Sequence, residues 1–194
     1  MNKKIYSFFF HKIAGWQIEG EMPAEKKYLI IVAPHSSNWD FFIGLAVRLI
    51  SGFDSKYLAK KELFKFPFGK LFRSLGGYPV DRSKHMNLVD AVVELFDSHE
   101  RFIVAVTPEG TRGYVPNWKT GFYHIALKAK VPIVMSALDY GNKKVIFSPP
   151  FFPSGNKEED MRKIAQFYMD KKGKNKKMWP DEFYILTGQT KPTK

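Results

Sequence analysis

The most informative absence in this 194-residue chain is cysteine, of which there is none. A chain without cysteine has no disulfide scaffold, no cysteine-ligated zinc or iron–sulfur cluster and no thiol nucleophile. Long apolar runs are also missing. The best of them, at 28–33, 41–47 and 102–106, are far shorter than the roughly 18–20 residues of a membrane-spanning helix. These lengths predict no membrane span. Histidine and acidic residues do not cluster as metal ligands, so the sequence predicts no bound metal either.

The amino terminus resembles a signal peptide only briefly. Its apolar run at 5–10 is too short, basic side chains interrupt it, and no small-residue cleavage site follows. Within residues 1–18, the spacings of four and three between Phe9, Ile13 and Trp16 predict a short amphipathic helix. Two alternatives remain open for this helix, namely contact with a membrane and packing on the protein's own core.

Acidic residues are scarce relative to basic ones, with 19 Asp and Glu against 31 Lys and Arg, a formal net charge of +12. Such a charge favours anionic partners: nucleic acid, anionic lipid surfaces, or phosphorylated and CoA-type ligands. Aromatic residues make up 16% of the chain, and 18 of them are Phe. A basic, Phe-rich chain fits a lipid interface better than it fits a reader of duplex DNA.

Hydrophobic patterning alternates along the chain between the strand type and the helix type. Continuous apolar runs at 28–33 and 102–106 predict buried strands. Apolar residues recur at helical spacing over 42–50 and 88–96. Strands that alternate with helices predict an α/β fold with a mixed, largely parallel central sheet flanked by helices.

No internal repeat, low-complexity block or long linker divides the chain, so we predict a single domain over residues 1–194. Residues 171–194 are lysine-rich and predict a basic tail, either solvated or in contact with anionic lipid. In open parallel sheets, functional residues lie beyond the carboxyl ends of the strands. The segments that follow Ala33 and Val106 are therefore the places to look for a site.

The first of these segments, APHSSNWD, contains His35 and Asp40, five residues apart. On a regular helix or strand this spacing points the two side chains in different directions. Their contact requires an irregular strand-to-helix turn, which the intervening proline, serine and asparagine residues suit. A carboxylate on one ring nitrogen fixes the imidazole tautomer and makes the other nitrogen a better base. The alternative is a histidine and an aspartate that only cap and satisfy the turn.

The second segment, TPEGTR at 107–112, predicts a tight loop that exposes Glu109 and Arg112. An arginine there suits bidentate binding of phosphate, and the alternative is that the two side chains pair with each other. A third segment, GGYPVDRS at 76–83, places Arg82 at the end of a short strand. Its alternative is a plain turn with a solvated Asp–Arg pair.

Taken together and in this order, HSSNWD, GGYPVDRS and PEGTR resemble the glycerophospholipid acyltransferase family, typified by the 1-acylglycerol-3-phosphate acyltransferases. The resemblance runs from about residue 16 to residue 138, and the VPI sequence at 131–133 matches a fourth family motif imperfectly. The resemblance implies that His35 is the general base and that Asp40 orients it. It also implies a substrate-binding set of Arg82, Glu109, Gly110, Thr111 and Arg112.

The resemblance implies an O-acyltransferase that moves a fatty acyl group from acyl-CoA or acyl-carrier protein to a lysolipid hydroxyl. The default acceptor is 1-acylglycerol-3-phosphate, which gives phosphatidic acid, and the same motifs would serve another lysolipid such as an acylated amino-acid lipid. No cofactor is expected beyond the acyl thioester. We expect peripheral contact with an anionic membrane surface, at the cytoplasmic face of the cell membrane, and no nucleic-acid partner.

A rival interpretation is a non-enzymatic module that binds membranes or nucleic acid. The net charge favours it, as does the interleaving of Phe and Lys at 58–72. This Phe/Lys segment either lies at a membrane, walls an acyl-chain groove or packs on the core. The rival does not require a His–Asp pair, and the sequence shows no helix-turn-helix or RNP-like motif.

Overall fold

The computed structural model describes residues 3–80 and 88–192. This part of the chain starts with a short helix, after which most strands are followed by a helix. The strands are β1 (Gln17–Glu19), β2 (Lys27–Ala33), β3 (Ser55–Lys60), β4 (Gly77–Val80), β5 (Phe102–Val106), β6 (Ile133–Asp139) and β7 (Lys144–Phe147). The helices are α1 (Lys3–Phe8), α2 (Trp39–Ser51), α3 (Gly69–Ser74), α4 (Leu88–Ser98), α5 (Gly121–Ala129), α6 (Lys157–Tyr168) and α7 (Asp181–Thr187). A π-helical turn at Phe9–Ile13 extends α1, and a 3₁₀ turn at Lys61–Phe64 follows β3.

The seven strands form one sheet in the order β1-β7-β6-β2-β5-β3-β4. Every neighbouring pair is parallel except β6 and β7, which are antiparallel. The prediction of a single α/β domain with a mixed, largely parallel sheet is therefore confirmed. Strand β2 lies near the middle, between β6 and β5, which is the position that matters most for the site.

The unbroken apolar run of β2 follows from helices on both faces of the sheet. Leu29 and Ile31 belong to a core shared with side chains from α4, α5, α6 and α7. Tyr28 and Ile30 point to the opposite face and join a core shared with α2. Because successive strand residues point to opposite faces, a strand covered on both sides is apolar at every position.

The predicted amino-terminal helix is present, but the three residues predicted to share its apolar face do not lie on one face. Phe9 and Ile13 are exposed, whereas Trp16 is buried together with Phe10. The helical turn ends at Ile13 and the chain reverses at Gly15, where φ is +72°, so Trp16 lies outside the helix. One side of this segment therefore packs on α2 and the core, while the other remains open to solvent, and its contact with a membrane stays a prediction.

The carboxy-terminal segment predicted as a basic tail is packed against the domain over much of its length. Trp179 and Phe183 are buried in the larger core, where their rings stack at 5.9 Å between centroids. Phe183 also contacts Trp118, with the ring centroids 4.6 Å apart. The alternative of a solvated tail is wrong here because these aromatic side chains bury a large apolar area. Because lysine dominates the composition of this segment, the sequence did not predict the burial of these aromatic side chains.

Candidate active site

The sheet topology brings the two predicted segments together. Strands β2 and β5 are parallel neighbours, and Ile31 of β2 lies opposite Val106 of β5. Their carboxyl ends therefore meet at one edge of the sheet. Just beyond that edge, the backbone N–H of His35 donates a hydrogen bond to Glu109 Oε1 at 3.0 Å. One site thus contains residues of both segments.

The strand-to-helix turn after β2 places His35 against Asp40. Their atoms Nδ1 and Oδ2 are 3.0 Å apart, and the same Oδ2 accepts the backbone N–H groups of Ser36 at 2.8 Å and Ser37 at 2.9 Å. Asp40 lies in the first turn of α2, where the helix dipole favours a negative charge. The predicted irregular turn is therefore the structure that this segment adopts, and it makes the His–Asp contact.

A third side chain completes the surroundings of Asp40, and sequence reasoning missed it. The hydroxyl of Tyr140 donates a hydrogen bond of 2.7 Å to Asp40 Oδ1. Burial, together with this hydrogen bond, raises the pKa of Tyr140, so the phenol stays protonated as the donor. Tyr140 directly follows β6, the other neighbour of β2. Its place at a strand's carboxyl end was the available signal.

The protonation state of the His–Asp pair follows from these contacts. Burial alone would raise the pKa of Asp40, but hydrogen bonds from His35, Tyr140, Ser37 and Ser36 hold this pKa below its ordinary value. An ionised carboxylate only accepts hydrogen bonds, so Nδ1 of His35 carries the hydrogen and Nε2 keeps a free lone pair. The His35 side chain is 21% exposed, against 3% for Asp40. His35 is therefore a base that a substrate can reach, and the buried carboxylate of Asp40 supports it without reaching the substrate.

Glu109 is not exposed, contrary to the sequence prediction; it is only 2% accessible. One carboxylate oxygen accepts the His35 backbone N–H and the other forms an ion pair with Lys177. Burial raises the pKa of Glu109, and these two partners oppose the rise. The alternative in which Glu109 pairs with Arg112 is therefore wrong. Lys177 was also missed, because nothing in its lysine-rich neighbourhood distinguishes it.

The remaining predicted substrate-binding residues lie on the loop after β5, with one exception. Gly110 has a φ of +66°, and a Cβ there would lie 3.0 Å from Nζ of Lys119, a cation that the sequence did not single out. Thr111 and Arg112 are exposed on the same loop. Arg82 lies outside the described residues. Lys119 lines the same cavity as His35, so the loop presents at least one cation that suits a phosphate there.

A cavity of about 560 Å³ extends from the His–Asp pair between α2 and the sheet. Its wall includes His35, Asp40 and Gly110. The deeper lining is mainly apolar and comes from both the sheet and α2: Ile30, Val32, Val47, Phe53, Leu138, Val145 and Phe147. The polar lining also includes Arg48 and Lys56. A cavity of this size with a mainly apolar lining fits an alkyl chain whose reactive end lies near His35.

Two other histidines contact nearby backbone carbonyl groups. His11 Nδ1 lies 2.7 Å from the carbonyl oxygen of Trp16, and His99 Nδ1 lies 2.9 Å from that of Leu95. Within residues 3–80 and 88–192, no three His, Asp or Glu side chains are grouped so that they could hold a metal ion. In the same part of the chain, no helix combines the length and the apolar character needed to cross a bilayer.

Comparison with known proteins identifies relatives of this chain. The sequence model of the Acyltransferase family matches residues 16–138. A 1-acyl-sn-glycerol-3-phosphate acyltransferase of Saccharomyces cerevisiae is 32% identical over 144 residues, which are 70% of this chain and 46% of the yeast protein. A protein of the same name from Salmonella typhimurium is 31% identical over 142 residues, 68% of this chain and 56% of that one. The chain thus spans about half the length of these relatives.

A solved structure shares the fold. The crystal structure of the 1-acyl-sn-glycerophosphate (LPA) acyltransferase PlsC from Thermotoga maritima superposes with a TM-score of 0.55 and 23% sequence identity. The match covers 85% of this chain and 73% of the other. It supports the α/β architecture.

Proposed function

The chain belongs to the Acyltransferase family, and on that premise we propose that it transfers a fatty acyl group from an acyl thioester to the hydroxyl of a lysolipid. The proposed acceptor is 1-acylglycerol-3-phosphate and the product phosphatidic acid, as the names of the relatives suggest. One observation carries the proposal: the His35–Asp40 pair lies at the wall of an apolar cavity of about 560 Å³.

The chemistry proposed for His35 is general base and then general acid catalysis. Nε2 accepts the proton of the acceptor hydroxyl as its oxygen attacks the thioester carbonyl. The tetrahedral intermediate then collapses, the carbon–sulfur bond breaks, and the imidazolium returns the proton to the departing thiolate. Asp40 stabilises the imidazolium through Nδ1, at 3.0 Å. This route forms no covalent acyl-enzyme, in keeping with a chain that has no cysteine.

The acyl chain is proposed to lie in the cavity between α2 and the sheet. Its apolar lining removes methylene groups from water, at about 0.8 kcal/mol for each buried CH₂. Either acyl-CoA or acyl-carrier protein would supply this chain as co-substrate. No further cofactor enters the proposed reaction.

The acceptor phosphate is proposed to bind at the loop after β5, where Arg112 is exposed and Lys119 lies beside Gly110. Arg82 is proposed to contribute as well. Arg112→Lys keeps the charge but loses the bidentate fork, so the KM for lysophosphatidate should rise about tenfold while kcat changes little. Steady-state kinetics at saturating donor measures this. Unchanged KM values in both Arg112→Lys and Lys119→Met would show that the acceptor phosphate binds elsewhere.

Peripheral binding to an anionic membrane is part of the proposal. Exposed apolar side chains lie on α1 and its π-helical turn and on the first turn of α2, beside Asp40: Ile5, Phe8, Phe9, Ile13, Trp39, Phe41 and Phe42. The ammonium group of Lys174 lies 4.6 Å from the ring centre of Trp39. Aromatic side chains with adjacent cations suit the boundary between acyl chains and anionic headgroups. We place this membrane contact at the cytoplasmic face, where anionic lipids are concentrated.

The function is tested by incubating the purified protein with lysophosphatidate and either palmitoyl-CoA or palmitoyl-acyl-carrier protein, and measuring phosphatidic acid by mass spectrometry. His35→Ala should lower kcat by about 10²–10⁴-fold. His124→Ala, which alters an exposed histidine on α5, is the matched control and should keep wild-type activity.

Each outcome of this assay separates the candidate functions. Transfer to an acylated amino-acid lipid but not to lysophosphatidate would retain the chemistry and change the acceptor. No transfer to any lysolipid, or full activity of His35→Ala, would reject the proposed mechanism. If no transfer to any lysolipid is seen, the rival membrane- or nucleic-acid-binding module becomes the better interpretation of the net charge of +12.

Membrane binding is tested by sedimentation with vesicles of phosphatidylglycerol or phosphatidylcholine. Binding should be stronger to the anionic vesicles and should fall in part at high salt, because each lysine near the surface contributes roughly 1 kcal/mol that salt screens. The Phe/Lys segment at 58–72 is proposed as a second contact, in which Phe66 is 98% exposed and Phe68 is 60% exposed. Replacing both by Ser should therefore reduce the salt-resistant part without unfolding the chain. Equal binding to the two vesicle types would contradict the electrostatic contribution.

A further inference from the structure

Lys177 connects the two loops of the site from outside the region that matches the family. Its Nζ forms an ion pair with Glu109 and donates to the carbonyl oxygens of His35, at 3.0 Å, and Thr111, at 3.4 Å. The side chain is 8% exposed. An ammonium group has three N–H donors, and these three contacts use all of them. Lys177 therefore acts on protein groups and has no donor left for a substrate phosphate.

A second set of contacts joins the same segment to the turn that carries His35. Asn175 donates from Nδ2 to the carbonyl oxygen of Ser36 at 2.7 Å and from its backbone N–H to Ser36 Oγ at 3.3 Å. Gly173 approaches so closely that a Cβ there would lie 2.6 Å from Ser36 Oγ. Gly173, Asn175 and Lys177, which we call the strap, thus hold two consecutive residues of the turn, His35 and Ser36.

We propose that Lys177 is a positioning residue for His35, and that the strap holds the catalytic turn in its reactive geometry. This inference rests on the proposed function of His35. The turn is irregular, so its peptide groups lack the regular bonds of a helix or strand. Asp40 and Glu109 bond the N–H groups of this turn, and the strap bonds its carbonyl groups. The strap acts without touching substrate.

The kinetic test compares Lys177→Met with Lys176→Met. Loss of the Lys177 ammonium removes the cation that bridges the turn and the loop of Glu109, and a displacement near 1 Å costs about 10²-fold in rate. We expect kcat to fall by about that factor while the KM values for donor and acceptor stay within about twofold. Lys176 is the adjacent, exposed lysine, so Lys176→Met removes the same charge and should keep the wild-type kcat. Equal kcat values for the two variants would overturn the proposal, and so would a loss confined to KM.

A double-mutant cycle tests whether Lys177 acts through Glu109. Because the two side chains are in contact, the effects of Glu109→Gln and Lys177→Met on kcat should not multiply. The double variant should be no slower than the slower single variant within about threefold. Fully multiplicative losses would show that Lys177 acts independently of Glu109.

An NMR measurement separates this proposal from the proposed enzymatic activity. In protein labelled with ¹⁵N-histidine, the His35 ring should show one Nδ1–H tautomer, identified by the loss of its signals in His35→Ala. In Lys177→Met these signals should shift toward a mixture of tautomers or broaden. If Lys177→Met fails to fold by circular dichroism, Asn175→Ala is used instead, since it removes one side-chain bond from an exposed residue.

The two proposals can thus fail separately. Wild-type ring signals in a folded Lys177→Met, or in Asn175→Ala where that variant is used, would overturn the positioning function of the strap, whatever the acyl-transfer assay shows. Shifted ring signals in a protein that transfers no acyl group would instead reject the enzymatic function and support the strap's hold on His35.

Discussion

Two buried carboxylates contact the same histidine, and the protein stabilises them in different ways. Asp40 bonds the ring of His35 and receives two backbone N–H groups from the intervening turn, with Tyr140 as its distant partner. Glu109 bonds the backbone of His35, and its other oxygen pairs with Lys177, 68 residues further along the chain. Asp40 is therefore supported mainly by its own segment, whereas Glu109 depends on distant parts of the chain.

The two carboxylates differ in the direction of their pKa shifts, and the difference follows the number of hydrogen-bond donors around each. Burial raises the pKa of both groups, but only Asp40 has enough hydrogen bonds to bring its pKa below the ordinary value. The pKa of Glu109 stays raised despite Lys177 and the His35 backbone. The base is thus supported by a firmly ionised carboxylate, while the loop of Glu109 is held by an ion pair with Lys177.

Of the changes to the two carboxylates and their partners, Asp40→Asn should have the largest effect. The amide keeps the size of the carboxylate, but it loses the negative charge that stabilises the imidazolium and fixes the tautomer. We expect kcat to fall by about 10²-fold or more with little change in KM. Circular dichroism should show a folded protein, so that the loss reports on chemistry. Activity within threefold of wild type would show that His35 does not need this carboxylate.

A smaller effect is expected from Tyr140→Phe. This change removes only the hydroxyl, because the phenyl ring can keep the T-shaped contact with Trp16, with 4.9 Å between centroids. One hydrogen bond to a charged group is lost, and it is typically worth about 1.5–3 kcal/mol. We expect a loss of stability near the low end of that range, measured by urea unfolding, and about a tenfold lower kcat. A stability equal to wild type would remove Tyr140 from the set of groups that stabilise Asp40.

The contributions of the two carboxylates to the free energy of unfolding should change in opposite directions with pH. The pKa of Asp40 is lowered on folding, so its contribution is complete above the ordinary pKa of 3.8 and is lost as the pH falls through the folded value. The pKa of Glu109 is raised, so the folded state loses stability as the pH rises from the ordinary value of 4.5 through the folded one.

Urea unfolding of wild type, Asp40→Asn and Glu109→Gln from pH 3 to 7 tests this difference. The advantage of wild type over Asp40→Asn should shrink toward pH 3. The stability of wild type relative to Glu109→Gln should fall as the pH rises above 4.5. Parallel pH dependences for the two variants would contradict the opposite pKa directions.

Ser37→Ala should have the smallest effect on stability and on kcat. It separates the contribution of the Ser37 hydroxyl from that of its backbone N–H. The Ser37 hydroxyl accepts the Trp39 backbone N–H at 3.2 Å, while the bond to Asp40 comes from the Ser37 backbone. We expect a loss of about 0.5–1 kcal/mol in unfolding free energy, as for a helix cap, and a kcat within about threefold of wild type. A larger fall in kcat would mean that the hydroxyl itself serves the reaction.

Much of the fold was predictable because its signals are local. The run at 102–106 coincides with β5, since a strand buried on both faces is apolar throughout and ends at the turn residues. The buried residues of the amino-terminal segment and the packing of the carboxy-terminal segment were not predictable. Trp16 left the helical pattern at Gly15, and the aromatic residues before and within α7 lie among lysines that dominate the composition.

The sequence by itself determined the His35–Asp40 pair, because the turn, the helix start and both side chains lie within six consecutive residues. The sequence also predicted that the loop after β5 belongs to the site, but tertiary structure alone decided the long-range partners. Tyr140 and Lys177 lie 100 and 142 residues from the groups they bind, Asp40 and the His35 carbonyl. The sheet order places β6 beside β2, and the packing of the aromatic carboxy-terminal segment brings Lys177 to the turn. Such contacts depend on which surfaces fold against each other, and no local spacing encodes that.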